Sequence, residues 1–313
     1  MSTSSMSKLA VQEISPPPSR APEAPQDNEP GAFETIIQPT RGWIGINWAE
    51  MFHSRELLYF FIWRDLKVRY KQAILGVGWV VVQPIMNMIM FTVVFGSAAG
   101  LNSRLGKGHE HEYSVYVYAA LLPWQLFAAA LNNGGMSLVS QQHILKKIYL
   151  PRLFVPTAAV GGAVIDLLVS FCILFILAAF KGMWLSPWAL LLPVLLGLSL
   201  LNALGVAYLL SALTVRYRDF RFLIPFLSQL LMFVSFVAFP PSLMGNSKWK
   251  WLLLFNPMYG VIATWRKCLL GFNDSLTGFS IRYLVASIVG GLILFVIGLI
   301  VFRRTERTFV DIA

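Results

Sequence analysis

Residues 154–180 read FVPTAAVGGAVIDLLVSFCILFILAAF, and Asp166 is the only charged residue in this run of 27. An α-helix needs about 20 predominantly apolar residues to cross the hydrocarbon core of a bilayer. The run is long enough for one complete crossing, so it predicts a transmembrane helix.

The rest of the chain repeats this pattern. Its 313 residues are 57% hydrophobic and only 13% charged, whereas about 25% charged residues are usual in soluble proteins. Asp, Glu, Lys and Arg are also absent between Lys71 and Arg104, Glu112 and Lys146, Lys181 and Arg216, Arg221 and Lys248, and Arg282 and Arg303. We therefore predict an all-α polytopic membrane protein with six transmembrane helices, near residues 74–98, 113–133, 154–180, 187–213, 222–239 and 283–302.

The net charge of +10 is concentrated in a few short segments. Positive charge clusters in residues 64–71, 146–152, 216–221 and 303–307, whereas the charges of residues 96–112 are balanced. Loops on the cytoplasmic side of a membrane carry the excess of Lys and Arg. With an even number of spans, this distribution predicts that both termini are cytoplasmic.

Four regions follow along the chain. Residues 1–40 are rich in Ser, Pro and Glu and lack an apolar stretch, which predicts a disordered cytoplasmic tail. Residues 41–72 predict an amphipathic interface helix on the membrane surface, the alternative being a basic run that only precedes the first span. Residues 73–303 are the predicted six-span transmembrane domain, and residues 304–313 are a cytoplasmic C-terminal tail.

A short basic segment joins the second and third spans. Residues 137–150 predict a short cytoplasmic helix that ends before Pro151. The segment is interpreted either as a solvated loop or as a coupling helix on which another subunit docks.

Residues 244–282 contradict the charge rule. The segment is predicted to be external, yet it holds five basic residues and one acidic residue, Asp274. Its two short apolar pieces, 249–255 and 258–270, are separated by the turn-forming pair Asn256-Pro257. Neither piece is long enough to cross a bilayer, so we predict two short re-entrant gate helices before the last span.

The sequence predicts no catalytic site and no metal site. Residues 100–108 resemble a Gly-rich nucleotide loop, but five residues instead of four separate the glycines, and Gly108 stands where Ser or Thr is required. His109 and His111 would need a further ligand to hold a metal, so a solvated loop is favoured. External carboxylates are too few for acid/base chemistry, which disfavours a hydrolase or glycosyltransferase. We expect that this chain binds no cofactor and that another chain binds any ATP.

Asp166 is the single charged residue expected near the middle of a span. Charged groups inside a membrane are costly and are often functional. The alternative is a helix-packing hydrogen bond beside Gly161, Gly162 and Ala163, whose small side chains allow a neighbouring helix to approach. The sequence favours the two interpretations about equally.

Aromatic residues are concentrated at the span ends and in residues 244–282. An amphipathic ring offers an apolar face for stacking and a polar edge for hydrogen bonds, as a sliding sugar polymer would require. For Trp184 and Trp188 an interfacial aromatic belt is the better explanation. The candidate channel and gate residues are Trp79, Tyr116, Tyr118, Trp124, Trp249, Trp251, Tyr259 and Trp265.

Several separate motifs, in order along the chain, resemble one known family. They are Arg55-Glu56-Leu57-Leu58, 63–72 (WRDLKVRYKQ), 75–79 (LGVGW), Gln83-Pro84, 215–219 (VRYRD), Asn256-Pro257-Met258, Trp265-Arg266 and 304–311 (RTERTFVD). From about Arg41 to its end, the chain is similar to the permease subunits of type-2 ATP-binding-cassette polysaccharide exporters. These move lipid-linked polysaccharides such as O-antigen, capsule or teichoic acid. Phe236 and Phe239, where Pro and Tyr are expected, and the Pro-rich tail depart from the pattern.

The resemblance implies half of a transport channel in a bacterial cytoplasmic (inner) membrane. The implied partners are a second copy of the chain, two ATP-binding subunits that hold the ATP and Mg, a lipid-linked polysaccharide and membrane lipid, with no nucleic acid. The candidate ATPase-coupling residues are Gln142, His143, Lys146, Lys147 and Tyr149.

Four basic residues are placed by the same resemblance at the interface helix. Arg64, Lys67, Arg69 and Lys71 lie where the pyrophosphate of a polyprenyl-linked substrate would arrive, and Arg and Lys pair well with phosphate. A topology signal explains the same charges. The remaining alternatives are an exporter of a drug or lipid, a membrane-embedded glycosyl or acyl transferase, and a secondary transporter, which would require inverted repeats and more buried charge.

Overall fold

The computed structural model describes residues 55–71, 76, 78–98, 100–101, 113–145, 151–180, 182, 186–245, 248–271 and 274–312. Within these ranges every regular element is helical. The α-helices are α1 Arg55–Lys71, α2 Gly78–Phe91, α3 Tyr113–Ala129, α4 Gly135–Ser140, α5 Gln142–Leu145, α6 Phe154–Phe180, α7 Leu192–Arg216, α8 Phe220–Val234, α9 Pro257–Leu270, α10 Asp274–Thr277 and α11 Ile281–Ile312.

Shorter helical segments of other types extend or join these elements. A π-helical segment, Thr92–Ala98, continues α2, and a second one, Ala130–Gly134, joins α3 to α4. The 3₁₀ segments are Pro187–Leu191, which precedes α7, and Pro241–Met244 and Lys248–Phe255, which lie between α8 and α9.

Five helical stretches are long and apolar enough to cross a membrane. They are Gly78–Ala98, Tyr113–Ser140, Phe154–Phe180, Pro187–Arg216 and Ile281–Glu306. They correspond to five of the six predicted spans. The remaining prediction, residues 222–239, falls on α8, which has 15 residues and ends at Val234. At 1.5 Å per residue α8 is about 22 Å long, less than the roughly 30 Å of a hydrocarbon core.

The stretch Tyr113–Ser140 is the centre of the bundle. Of an apolar part of 18 residues in this stretch, 78% of the residues are buried. The corresponding fraction is 17% in Gly78–Ala98 and 17% in Ile281–Glu306. It owes this burial to α2, α6, α7 and α9, which all pack against α3. A helix that is apolar on every side is typical of such a central position.

The helices α7 and α11 cross closely because glycines face each other at the crossing. A Cβ atom on Gly205 would lie 2.8 Å from the backbone of Phe295, and one on Gly298 would collide with the carbonyl oxygen of Gly205. Small residues allow membrane helices to approach backbone to backbone and gain dispersion contacts.

The predicted interface helix is α1, and it packs along α6. Phe61 and Leu66 are buried, whereas Tyr59, Phe60 and Trp63 are exposed. Phe61, which packs into the bundle, and the exposed residues Tyr59 and Trp63 therefore lie on different faces of α1. The exposed aromatic face suits contact with lipid.

The segment between α8 and α11 is not a simple loop. The backbone leaves the helix after Val234, and Phe236 has a φ of 55°, in the left-handed region that side chains other than glycine seldom adopt. The two predicted short pieces are the 3₁₀ helix Lys248–Phe255 and the helix α9. Asn256 caps α9, since its side-chain oxygen accepts a 3.0 Å hydrogen bond from the amide of Met258.

Candidate substrate cavity

A cavity of about 710 Å³ opens at one side of the bundle, between α1, α2, α3, α6 and α8. Its polar lining consists mainly of amides, which donate and accept hydrogen bonds without carrying charge. The polar residues of the wall are Arg69, Tyr70, Gln83, Asn87, Gln125, Asn132, Asn133, Asp166, Ser170, Ser228 and Gln229. Two tryptophans, Trp79 and Trp124, complete the part of the wall that carries hydrogen-bonding side chains.

The central span supplies amides to the cavity through its π-helical segment. Asn132 and Asn133 lie in Ala130–Gly134, where the wider helical turn changes the direction in which side chains project. The side-chain amide of Asn132 donates to the carbonyl oxygen of Ala128 at 2.7 Å and to the hydroxyl of Ser228 at 3.3 Å. The second bond ties α8 to the central span across the cavity.

An ion pair joins α1 to the middle of α6 at the cavity wall. Arg69 Nη1 lies 2.8 Å from Asp166 Oδ2, and the hydroxyl of Tyr70 donates to Asp166 Oδ1 at 2.7 Å. Burial raises the pKa of Tyr70 above its usual value, and the hydrogen bond to the Asp166 carboxylate raises it further. Tyr70 therefore keeps its proton and remains a donor at neutral pH.

The small residues beside Asp166 also have a role in this contact. Ile62 of α1 packs over Gly161, where a Cβ atom would lie 2.6 Å from Ile62 Cδ1. The contacts of Asp166 and the close approach at Gly161 thus belong to one interface between α1 and α6. Ile62 contacts Gly161 and Arg69 contacts Asp166, so the two helices run in the same direction and the last turn of α1 reaches the middle of α6.

A second polar network joins α1 to the end of α4. Arg64 pairs with Asp65 at 2.7 Å and donates to Gln141 Oε1 at 2.9 Å, while Gln141 Nε2 donates to Asp65 at 3.3 Å. The guanidinium of Arg64 also lies 4.5 Å from the ring centre of Phe61. Gln141 directly precedes α5, in which the predicted coupling residues begin with Gln142.

The four basic residues predicted for phosphate contact occupy different environments. Arg69 lines the cavity and Arg64 belongs to the network with Gln141. Lys67 and Lys71 are exposed on α1. Of the predicted coupling residues, Gln142 and His143 are exposed on α5. Lys146, Lys147 and Tyr149 lie outside the described residues.

The predicted channel aromatics occupy different environments. Trp79 and Trp124 line the cavity, where Trp79 is 48% exposed and Trp124 only 4%, and Trp251 is exposed. The side chain of Trp249 lies outside the described part of the chain. The others are buried and donate hydrogen bonds within the bundle: Tyr116 to Leu276 O, Tyr118 to Ser170 O, Tyr259 to Gly278 O and Trp265 to Ser199 Oγ.

The irregular backbone after α8 is held by side chains from other elements. The hydroxyl of Tyr113 donates to the carbonyl oxygen of Ala238 at 2.6 Å, and Arg266 Nη2 donates to that of Val237. Asn256 Nδ2 donates to the hydroxyl of Ser235 at 2.9 Å. Non-helical backbone at membrane depth is tolerated only where such partners exist.

These contacts explain part of the unexpected basic charge of residues 244–282. Arg266 is 1% exposed and lies 4.0 Å from the ring centre of Tyr116. Lys267 pairs with Asp274 at 2.7 Å. Both side chains have structural partners, so their charge need not report on orientation in the membrane.

The amide side chains of the cavity wall are absent from the site residues predicted from the sequence. Gln83 and Asn87 stand one helical turn apart, and Gln125 and Asn132 stand two turns apart, within otherwise apolar spans. Polar residues that repeat at helical spacing in a span share one face. That periodicity is the signal that points to this cavity.

Comparison with known proteins gives a consistent result. Residues 56–270 match the model of the family described as ABC-2 type transporter, which covers more than half of the chain. The chain belongs to this family.

Curated relatives are named as export permeases. An "O-antigen export system permease protein RfbA" of Klebsiella pneumoniae is 27% identical over 250 residues, covering 80% of this chain and 92% of the relative. A protein of the same name from Myxococcus xanthus is 25% identical over 218 residues, covering 69% of this chain and 81% of the relative.

Proposed function

We propose that this chain is the membrane permease of an ATP-driven exporter that moves a lipid-linked polysaccharide of the O-antigen type out of the cytoplasm. The observation that carries the proposal is the cavity, whose wall combines neutral amides with Trp79 and Trp124. Amides exchange hydrogen bonds with sugar hydroxyls, and indole rings stack on the apolar faces of sugars. The family and the names of the relatives support the same cargo.

A second copy of the chain completes the channel in this proposal. The cavity is bounded by α2 and α8, and both helices also expose apolar side chains, among them Met86 and Met90 of α2 and Phe222 and Phe226 of α8. An apolar face that continues the rim of an open cavity suits contact with a partner or with lipid. In the assembled channel, α8 and residues 235–239 together make up the fifth of the six spans.

Two separate ATP-binding subunits drive the transport in this proposal, and they hold the ATP and Mg. The exposed residues Gln142 and His143 and the basic residues Lys146 and Lys147 form the docking segment for them. The network of Arg64, Asp65 and Gln141 supports this assignment, because it ties that segment to α1. Both termini and the docking segment face the cytoplasm, and the membrane is the bacterial inner membrane.

The experiment that tests the proposal uses a strain that lacks this gene and carries variants on a plasmid. Trp79→Ala combined with Trp124→Ala is expected to abolish surface polysaccharide and to leave lipid-linked polymer inside the cell. Trp188→Ala is the matched control for Trp79, since both side chains are exposed and Trp188 lies outside the cavity wall. The readouts are an immunoblot of surface polymer and the amount of intracellular lipid-linked polymer.

Two outcomes would contradict the proposal. Normal surface polysaccharide in the gene deletion would exclude this cargo and would favour a drug or lipid as the substrate of the same architecture. Transport by the chain without a copurifying ATPase would exclude the proposed division of labour.

A further inference from the structure

The ion pair of Arg69 and Asp166 is the only pair of opposite charges on the cavity wall within the described part of the chain. The other polar residues of that wall are uncharged. The two residues come from different elements and are 97 positions apart in sequence. An arginine that faces an open cavity can be solvated there without a carboxylate, so the presence of Asp166 beside Arg69 requires an explanation.

The geometry allows the ion pair to open. The side chain of Arg69 is 37% exposed and that of Asp166 is 30% exposed, so an anion in the cavity can reach the guanidinium. Partly exposed ion pairs contribute little net stability, since solvation of the separated charges offsets most of their attraction. A phosphate competes well for such an arginine, because its oxygens accept two parallel hydrogen bonds from the guanidinium.

Asp166 does not lose its last partner when Arg69 leaves. The hydroxyl of Tyr70 donates to the second carboxylate oxygen at 2.7 Å. A carboxylate that keeps one hydrogen bond and contact with water avoids most of the cost of an isolated buried charge. The pair therefore has an open state in which both charges remain satisfied.

We propose that Asp166 is a positioning residue that pairs with Arg69 while the cavity is empty. The diphosphate of the incoming lipid carrier then replaces Asp166 as the partner of Arg69. This inference rests on the proposed function, because it assigns the recognition of the carrier to the same cavity. The diphosphate takes the guanidinium by rotation of the Arg69 side chain, while Tyr70 of the same turn keeps its hydrogen bond to Asp166.

Binding of a prenyl diphosphate to the complex tests this inference. The chain is reconstituted with its ATP-binding subunit, without nucleotide, in phosphatidylcholine nanodiscs, and dissociation constants are measured for geranylgeranyl diphosphate. Geranylgeraniol, which lacks the diphosphate, reports the contribution of the prenyl chain. Nanodiscs without this chain report binding by lipid alone.

Four proteins define the expected pattern. Asp166→Asn removes the competitor and is expected to bind the diphosphate about fivefold more tightly than wild type, as an ion pair of this exposure allows. Arg69→Gln is expected to bind more weakly than wild type. The double variant is expected to equal Arg69→Gln, because Asp166 acts only through Arg69.

The matched control is Glu306→Gln. Glu306 pairs with Arg303 at 2.8 Å in a half-buried ion pair that lies outside the cavity wall. Its removal is expected to leave the affinity for geranylgeranyl diphosphate unchanged. Asp166→Glu, which keeps the charge, is expected to resemble wild type and provides a comparison if the Asn variant does not fold.

The failures of the two proposals are distinguishable. If wild type binds the diphosphate no better than the alcohol, recognition of a carrier phosphate in this cavity is wrong, and the role of Asp166 falls with it. If wild type prefers the diphosphate through Arg69, but Asp166→Asn binds it equally or more weakly, only the role of Asp166 is wrong. If the Asn variant does not fold, Asp166→Glu is compared with wild type instead. A different affinity for the diphosphate in Asp166→Glu, which keeps the carboxylate, also contradicts the proposed role of Asp166.

Discussion

Two arginines in this bundle are satisfied in opposite ways. Arg69, at the cavity wall, pairs with the carboxylate of Asp166 and keeps 37% of its side chain exposed. Arg266, in α9, is 1% exposed and rests against the ring of Tyr116 while it donates to the carbonyl oxygen of Val237. Among the described residues no acidic side chain pairs with Arg266.

The difference in exposure means that the contact of Arg69 can be exchanged, whereas the contacts of Arg266 are fixed. A partly exposed ion pair can trade its partner for water or another anion at little cost. A buried guanidinium cannot move without leaving both itself and a backbone carbonyl unsatisfied in a medium of low polarity. Arg69 therefore suits the binding of a ligand, whereas Arg266 suits support of the irregular backbone at residues 235–239.

The largest expected effect comes from Arg266→Ala. The substitution leaves a void beside Tyr116 and removes the donor to Val237, so it is expected to lower the free energy of unfolding by about 3 kcal/mol or more. Thermal unfolding of the purified protein in detergent measures the change. Arg266→Met fills most of the void without the hydrogen bond and is expected to recover part of the loss. An unchanged midpoint in the Ala variant would show that Arg266 does not hold this segment.

Exchange of the charges at Arg69 and Asp166 tests the other half of the comparison. Asp166→Arg opposes two positive charges and is expected to cost about 1 kcal/mol of stability. The additional substitution Arg69→Asp restores an ion pair and the stability, as measured by the same thermal unfolding. Export of polysaccharide is expected to remain lost in the double variant, because α1 then presents a carboxylate to the diphosphate. Full export in the double variant would mean that the pair acts only as a structural contact.

Asn132→Ala is expected to have a smaller effect. The variant loses the hydrogen bonds to Ala128 and Ser228, and a net loss of about 1 kcal/mol is usual for such bonds. Thermal unfolding and the rate of appearance of surface polymer are the two measurements. Asn132→Asp controls for side-chain size. If export in Asn132→Ala proceeds at the wild-type rate, the amide of Asn132 takes no part in the path of the sugar.

The smallest expected effect on stability belongs to Lys248→Cys. Lys248 is exposed, and surface substitutions of this kind usually change stability by less than about 0.5 kcal/mol. With Cys172 and Cys268 replaced by Ser, a membrane-impermeant maleimide added to cells with a permeabilised outer membrane is expected to label position 248. A cysteine at His143 is expected to stay unlabelled until the inner membrane is opened. The reverse labelling pattern would show that the protein has the opposite orientation in the membrane from the one proposed.

Much of the fold is predictable from the sequence because a bilayer imposes a length on each apolar run. The prediction 154–180 coincides with α6, Phe154–Phe180, and four others fall on stretches of spanning length. The prediction 222–239 extends past the end of α8 because residues 235–239 are as apolar as those of a membrane-spanning helix. The left-handed φ of Phe236 shows that the backbone there is irregular, and contacts with Tyr113, Asn256 and Arg266 hold it.

The candidate site was less predictable. Interfacial position, a sugar path and core packing all favour aromatic residues. Residue type alone could therefore not separate Trp79, which is exposed on the cavity wall, from Tyr118, which is buried and bonded to the carbonyl oxygen of Ser170. The environments of Arg64 and Arg69 differ for a similar reason. Their spacing on α1 is known from the sequence, but their partners Gln141 and Asp166 come from distant segments.

The sequence by itself determined that this protein is a bundle of membrane-spanning helices with basic clusters between some of them. It did so because apolar runs of sufficient length have few alternatives in a bilayer. The tertiary structure alone decided which polar groups meet, that Asp166 receives Arg69 and Tyr70, and that Arg266 is buried against Tyr116. Such pairs depend on how helices that are remote in sequence pack together, and hydrophobic pattern constrains that packing only weakly.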